Sequence, residues 1–164
     1  MKRMGTYVVA AVLLLLMVVS VGAQDKPWFD MENCSFCKHL TKDPELMKHM
    51  TWTTYVISNG AMVVTVVDEE YQDSYEAAMK AMEKTGKDMM SGAGDVKMCG
   101  HCEYYGMLMM SGMKTETINT DVGEITLMTS DKPETIKMIH EYAKRNQEAM
   151  AVEDTPPAPI DDLE

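Results

Sequence analysis

The chain has 164 residues, of which 26 are acidic and 15 are basic, so its formal net charge at pH 7 is −11. A surface with this excess of negative charge repels the phosphate backbone of nucleic acids and the headgroups of anionic lipids. Nucleic acid and membrane surfaces are therefore excluded as expected partners. The length suits one compact domain and is too short for two independent domains of ordinary size.

Residues 1–23 have the pattern of a signal peptide. Lys2 and Arg3 form a basic start, residues 7–19 are apolar, and small residues lead up to Ala23. We expect cleavage after Ala23 and export to the periplasm or the medium, with no membrane association beyond this leader. The apolar stretch is short for a bilayer span of about 20 residues, which disfavours an uncleaved anchor. Removal of the leader leaves 13 basic and 26 acidic residues, a formal charge of −13.

Two segments after the leader share one order of features. Each begins near a Cys-x-x-Cys motif and continues with a short helix, a β-hairpin and a longer helix; repeat one covers about 32–86 and repeat two about 97–148. The first cysteines of the motifs, Cys34 and Cys99, are 65 positions apart, and equivalent strand positions are 61 or 62 apart. A shared order at nearly constant separation indicates a tandem duplication.

The first hairpin is predicted from two runs of aromatic and β-branched residues, 52–57 and 62–67. Between them, Asn59 and Gly60 form a dipeptide typical of a two-residue hairpin turn, because both residues tolerate positive φ. The helix that follows is expected to end at Gly86, since glycine commonly terminates helices.

Residues 87–95 are rich in turn-forming types and predict a linker between the repeats. In the second repeat, the hairpin turn is expected at 121–123, and the last helix is expected to begin near Pro133. Ile139 and Tyr142 belong to the stripe of that helix that we expect to be buried.

The C-terminal segment 151–164 combines prolines and acidic residues with almost no large apolar side chain, which predicts a disordered tail. A duplicated domain therefore remains over 24–150. Neither repeat alone can bury both its hairpin and its helices. The sequence thus predicts an α+β fold in which the two tandem repeats pack as one two-layer domain with pseudo-twofold symmetry.

The two Cys-x-x-Cys motifs indicate the chemistry of the chain. This spacing directs two sulfurs toward a common point, which suits a tetrahedral metal ion or a reactive dithiol. A twofold arrangement of the repeats would bring four cysteines together: Cys34, Cys37, Cys99 and Cys102. The expected function is extracytoplasmic binding of a soft metal ion, copper or zinc. His39 and His101 lie close enough in sequence to add an imidazole ligand.

Two alternatives stay open at the level of sequence. Exported proteins meet oxidants, so the cysteines can form structural disulfides in an interaction module without catalysis. The tetrapeptide from Cys99 to Cys102 resembles the active site of protein disulfide isomerases, which implies a thiol-disulfide oxidoreductase. That resemblance covers four residues only, and Gly106 and Gly112 are expected to interrupt the long helix that a thioredoxin fold places after its motif.

Methionine is abundant, with 16 residues outside the leader. The densest group follows the second cysteine motif and comprises Met107, Met109, Met110 and Met113. Thioether sulfur suits Cu(I), which favours copper, whereas packing in the core is the simpler explanation for most of these side chains. Motifs for hydrolysis or phosphate binding are missing, so a non-enzymatic role is favoured over an enzyme.

Overall fold

The structure is a computed structural model and describes residues 26–153. In this part of the chain it is an α+β fold with four strands and three α-helices. In chain order, the elements are β1 (Met50–Ile57), β2 (Gly60–Val67), α1 (Gln72–Met90), α2 (Gly100–Ser111), β3 (Lys114–Thr120), β4 (Gly123–Thr129) and α3 (Pro133–Glu153). The predicted class, with helices and two hairpins, is confirmed.

All four strands form one antiparallel sheet in the order β1-β2-β4-β3. Each hairpin contributes one edge strand and one central strand, and the two hairpins are joined through β2 and β4. In this central pair Gly60 lies opposite Thr129, and Val66 lies opposite Gly123. This pairing between the hairpins is long-range and is not encoded in either hairpin alone.

The turn of the first hairpin differs from its prediction. Ile57 pairs with Gly60, so the two turn residues are Ser58 and Asn59, and no described non-glycine residue has positive φ. Gly60 also lies outside the positive-φ region. A Cβ at Gly60 would lie 1.9 Å from the carbonyl oxygen of Met128 on β4. Glycine is therefore required here by the close approach of two strands, and the expected positive-φ turn was wrong.

The main core lies between one face of the sheet and the helices α2 and α3. Its buried residues come from both layers and include Ala61, Val63, Leu108, Met113, Met128, Ile139, Tyr142 and Ala143. The predicted stripe of the last helix is thus confirmed at Ile139 and Tyr142, and Pro133 is its first residue. On the other face of the sheet, Tyr55 and Ile118 are about half exposed.

Helix α1 runs through Gly86 and ends at Met90, so the predicted stop at Gly86 was wrong. The linker predicted at 87–95 begins only at Ser91. A glycine inside a helix costs roughly 0.5–1 kcal/mol. Burial of the helix face around Ala78 against the core residue Leu46 offsets that cost. The chain leaves the helix only after Ser91, where Gly92 has a φ of 72°.

The segments that follow the two cysteine motifs differ in length. The first motif continues into two single 3₁₀ turns, Cys37–His39 and Leu46–Lys48, whereas α2 has 12 residues. Asp43 explains part of the difference, because its carboxylate accepts the N–H of Glu45 at 3.0 Å and favours a local turn. The predicted short helix of the first repeat is thus reduced to 3₁₀ turns.

The predicted signal peptide, with its cleavage after Ala23, lies outside the described residues, as does the part of the predicted tail from 154 to 164. Helix α3 continues to Glu153, so residues 151–153, which we assigned to the tail, are helical. None of the helices between residues 26 and 153 is both long and apolar enough to cross a lipid bilayer.

Candidate metal centre

Backbone hydrogen bonds hold the first cysteine motif against the segment that precedes the second. Ser35 donates its N–H to the carbonyl oxygen of Lys97 at 2.8 Å, and Lys97 donates its own N–H to the Ser35 hydroxyl at 3.1 Å. Cys34 donates its N–H to the carbonyl oxygen of Asp30 at 3.2 Å. Because Ser35 lies directly after Cys34, and Lys97 two positions before Cys99, this pair of bonds fixes the motifs beside each other.

The second motif lies at the start of α2, with Cys99 as the residue that caps the helix. The N–H groups of Gly100 and His101 donate to the carbonyl oxygens of Pro27 at 3.1 Å and Trp28 at 2.9 Å. The first N–H groups of a helix have no partner within it, so these carbonyls satisfy two of them. The segment near the start of the described chain therefore positions the second motif.

The four cysteine sulfurs converge on one point. Cys102 Sγ lies 3.5 Å from both Cys34 Sγ and Cys37 Sγ, and Cys37 Sγ lies 3.6 Å from Cys99 Sγ. All four atoms lie within 4.8 Å of one another. A tetrahedral zinc ion with bonds of about 2.3 Å separates its sulfur ligands by about 3.8 Å. The spacing of the free thiols matches such a site and greatly exceeds the roughly 2.05 Å of a disulfide.

Burial shields this sulfur cluster from solvent. Cys34, Cys37 and Cys99 are at most 5% exposed, Cys102 is partly buried, and Met31 packs against the group. Buried thiols without a cation resist joint ionisation, because each new thiolate repels the others in a medium of low polarity. A bound cation reverses this effect, so the four cysteines could hold a metal ion.

The sulfurs differ in acidity. Hydrogen bonds from Cys102 and then from its other neighbours lower the pKa of Cys37 to about 6 despite its burial. Burial, with a smaller contribution from the charge of Cys37, raises the pKa of Cys99 to about 11. The pKa of Cys102 is also raised, mainly because Cys102 donates its proton in a hydrogen bond to Cys37, and secondly because of burial. In the metal-free cluster, Cys37 is therefore expected to ionise before Cys99 and Cys102.

A pH titration of the metal-free, reduced chain tests this order. We expect thiolate absorbance to appear first with a midpoint near pH 6, whereas Cys99 stays protonated to about pH 11. The folded pKa of Cys37 lies below its unfolded value of 9.0. Its contribution to folding stability is therefore complete above pH 9 and disappears as the pH falls through 6. If the Cys37→Ser variant still shows an absorbance step near pH 6, the assignment of that step to Cys37 is wrong.

His101 lies beside the sulfur cluster. Its Nδ1 is 3.9 Å from Cys102 Sγ, and its Nε2 is 2.6 Å from the hydroxyl oxygen of Tyr142. Aromatic rings enclose the imidazole, namely those of Trp28, Phe29, Trp52 and Tyr142. Burial lowers the pKa of His101 to about 4, so its ring is neutral at pH 7. In a metal-bound cluster Cys102 would be a thiolate, which can only accept a hydrogen bond. The proton of His101 would then lie on Nδ1, facing Cys102, and Nε2 would accept the hydrogen bond from the Tyr142 hydroxyl.

His39 has a different environment. Its Nε2 lies 3.0 Å from the hydroxyl of Thr85, whose proton is donated to the carbonyl oxygen of Ala81. His39 Nε2–H therefore donates to Thr85, which leaves Nδ1 as a buried acceptor with no hydrogen-bond partner among the described residues. Neither His39 nor His101 belongs to the converging group, which consists of the four predicted cysteines. Of the two predicted histidines, His101 lies beside a sulfur, that of Cys102, whereas the hydrogen bond of His39 is to α1.

Substitution of Tyr142 by Phe tests the link from Tyr142 through His101 to Cys102. Loss of partners behind metal ligands commonly weakens metal affinity by about 10- to 100-fold, and we expect a loss of about tenfold for zinc. Tyr104→Phe is a matched control, because the Tyr104 hydroxyl donates to exposed Glu141 at 3.1 Å. Competition titration against a zinc indicator measures both variants. Equal affinities for the two variants would show that Tyr142 does not support the metal ligands.

The methionine group after the second motif is dispersed. Met113 is buried in the main core, while Met107, Met109 and Met110 are 41%, 49% and 83% exposed on α2. The methionine that packs against the sulfurs is Met31, three positions before the first motif. Sequence spacing gave no signal for Met31, because its contact depends on the fold of the segment before Cys34.

The helix after the second motif forms against expectation. Helix α2 passes through Gly106 to Ser111, and apart from the chain neighbours and the adjacent backbone of the helix no described atom lies within 4 Å of the position that a Cβ at Gly106 would occupy. The expected interruption at Gly106 was therefore wrong, whereas Gly112 does end the helix, with a φ of 92°. Residues 95–99 form no strand. The second motif thus has the helix of a thioredoxin-like site without the strand that precedes it.

Comparison of the chain with protein-family models, with curated proteins and with solved structures found no match. Relatives therefore contribute nothing to the choice between the three chemistries that the cysteines allow. The spacing of the sulfurs, their burial and the groups around them are the observations from which a function can be inferred.

Proposed function

We propose that this chain is an exported, non-enzymatic protein that binds one soft metal ion through its four cysteines. The convergence of all four sulfurs within 4.8 Å carries the proposal. Disulfides need the sulfurs only in pairs, whereas a four-coordinate ion needs all of them around one centre. The predicted site residues Cys34, Cys37, Cys99 and Cys102 meet that requirement together.

Zinc is the first candidate ion. Four sulfur ligands in a tetrahedral arrangement are typical of zinc and of iron–sulfur sites, and the burial of this cluster suits a closed site without an open position. Copper is the second candidate, because Met31 lies against the cluster and adds a soft thioether. His101 assists by donating its Nδ1–H toward the thiolate of Cys102, which offsets part of the negative charge of a zinc tetrathiolate.

Cobalt titration tests the proposed site. We expect the reduced chain to develop sulfur-to-cobalt charge-transfer absorption that saturates at one Co(II) per chain and is lost when zinc is added. The competing function is a disulfide-stapled module, for which the distances favour pairing of Cys34 with Cys102 and of Cys37 with Cys99. Peptide mapping that finds these two disulfides in the exported protein, with no cobalt spectrum after reduction, would support that function instead.

We also propose that the domain arose by tandem duplication and keeps a pseudo-twofold axis between β2 and β4. Both hairpins have two-residue turns followed by a glycine, and Gly60 and Gly123 are 63 positions apart. Each glycine faces a backbone oxygen on the other hairpin. A Cβ at Gly60 would lie 1.9 Å from the oxygen of Met128, and a Cβ at Gly123 would lie 2.2 Å from that of Thr65. Exchanging the turn dipeptides at 58–59 and 121–122 should leave the midpoint of thermal unfolding nearly unchanged. Loss of folding in that variant would contradict the structural equivalence of the two turns.

Export is part of the same proposal and rests on the leader in residues 1–23. The N-terminus of the protein recovered from outside the cytoplasm is expected to be Gln24, as determined by mass spectrometry. Recovery of the chain only in the cytoplasm, with Lys2 and Arg3 still present, would contradict it.

A further inference from the structure

One face of the sheet packs against the helices, and the opposite one, which we call the open face, does not. Residues directly opposite each other on paired strands have their side chains on the same face. The strand pairing therefore aligns two rows of side chains across the open face. The first row is Tyr55, Met62, Leu127 and Glu116, and the second is Thr53, Val64, Ile125 and Ile118. The buried core residues of β2 alternate with these positions and belong to the helix side of the sheet.

The open face is apolar and accessible to solvent. Tyr55 and Ile118, on the two edge strands, are about half exposed. The apolar residues of β2 and β4 between them are partly exposed, namely Met62, Val64, Ile125 and Leu127. None of the core clusters between residues 26 and 153 includes a residue of this face. A contiguous apolar surface of this kind marks an interaction site.

The charge of the open face is balanced. Its strands place one lysine and one glutamate there, Lys114 and Glu116 on β3, and its other side chains are uncharged. The net charge of −11 therefore lies on other surfaces of the chain. Two copies of the chain repel each other at those acidic surfaces, so they can approach closely only where the charge is balanced. The open face meets that condition, whereas a strongly basic partner would be attracted to the acidic surfaces instead.

The size of the open face suits a second sheet of the same dimensions. Strands of 7 and 8 residues are roughly 25 Å long, and four strands side by side occupy roughly 19 Å. The outline of the face is therefore about 450 Å² in each copy, and the side chains that stand on it add accessible surface. Two copies together approach the roughly 1,200 Å² at the lower limit of specific interfaces, which predicts a dimer of micromolar affinity.

We propose that the open face is the contact between two copies of this chain, which pack sheet against sheet about 10 Å apart as a β-sandwich. A closed twofold dimer uses the same surface of both copies, so each apolar side chain of the face is buried twice. The sulfur cluster lies on the helix side of the sheet, where His101 contacts Trp52 of the main core. The dimer therefore leaves the candidate metal centre uncovered, and it does not depend on the proposed metal binding.

Sedimentation of the full chain at concentrations from about 1 to 500 µM tests the dimer. We expect the mass to rise with concentration from 18.4 kDa toward twice that value. Tyr55→Lys should weaken the dimer by at least about 30-fold, because the change occurs twice and places two charges in an apolar contact. Val56→Lys is the matched control, since Val56 is also half exposed on β1 but its side chain is on the helix side. Its dissociation constant should stay within about threefold of the wild type.

Ile118→Lys and Asn119→Lys form a second pair on β3, which keeps the test decisive if Tyr55→Lys does not fold. Asn119 is exposed, and its side chain is on the helix side of the sheet. Ile118→Lys should therefore weaken the dimer, and Asn119→Lys should not.

Three results would overturn the proposal. The first is a wild-type chain that stays at 18.4 kDa throughout. The second is association that neither Tyr55→Lys nor Ile118→Lys weakens, because another surface, such as the apolar residues 7–19, then carries it. The third is a chain ending at Glu153 that dimerises where the full chain does not, which would assign the open face to residues 154–164.

Discussion

Cys37→Ser is expected to lower the zinc affinity of the chain by about 100- to 1,000-fold. Structural zinc sites with four ligands bind with apparent free energies of about 10–16 kcal/mol, so the loss of one thiolate removes a large share. Among the four cysteines, substitution of Cys37 is expected to weaken zinc binding most. Its sulfur lies within 3.6 Å of the sulfurs of both Cys99 and Cys102, and its pKa is lowered to about 6. Competition against a chelator of known affinity measures the loss.

Lys38→Ser is the matched control for that experiment. Lys38 is exposed and directly follows Cys37, so the variant introduces serine into the same 3₁₀ turn without removing a sulfur. We expect its zinc affinity to stay within about threefold of the wild type, since exposed side chains away from the ligands contribute little. A Cys37→Ser variant that folds and binds zinc as tightly as the control would show that Cys37 is not a ligand.

Gly60→Ala is expected to lower the free energy of unfolding by about 3 kcal/mol. The added methyl group would lie 1.9 Å from the carbonyl oxygen of Met128, and such an overlap forces the central strands β2 and β4 apart. Because the two hairpins are joined through this strand pair, the change weakens the connection between them. Denaturant unfolding of the metal-free chain measures the effect without the contribution of bound metal.

Gly106→Ala is the corresponding control on α2. Apart from the chain neighbours and the adjacent helix backbone, no described atom lies within 4 Å of the site of its Cβ. Alanine also favours a helix over glycine by roughly 0.5–1 kcal/mol. This variant should therefore be as stable as the wild type or slightly more stable. If Gly60→Ala were equally harmless, the close approach of β2 and β4 would not be a feature of the folded protein.

The sequence predicted the elements whose signals are local. Both hairpins follow from runs of β-branched residues separated by short turns, and Pro133 marks the start of the last helix. Two predictions that rested on glycine failed. The role of Gly60 is decided by the close approach of β4, a tertiary contact that local propensity cannot anticipate. Gly86 lies inside α1, which continues to Met90.

The convergence of the four cysteines was predictable from the sequence, whereas the surroundings of the cluster were not. The repeated motif identified the four cysteines that converge, because equal spacing implied equivalent positions in the fold. The carbonyl oxygens of Pro27 and Trp28, which hold the second motif, carry no sequence signal. The contact of Tyr142 with His101 joins residues 41 positions apart, and only the packing of α3 on α2 brings them together.

The most direct test of the metal centre is to count metal ions and free thiols in the same sample of the full chain, purified without oxygen. Elemental analysis is expected to find one zinc or copper ion per chain, and the four thiols should react with a thiol reagent only after a chelator removes the ion. A sample that contains no metal, takes up none after reduction and leaves its four thiols freely reactive would contradict the proposed metal centre.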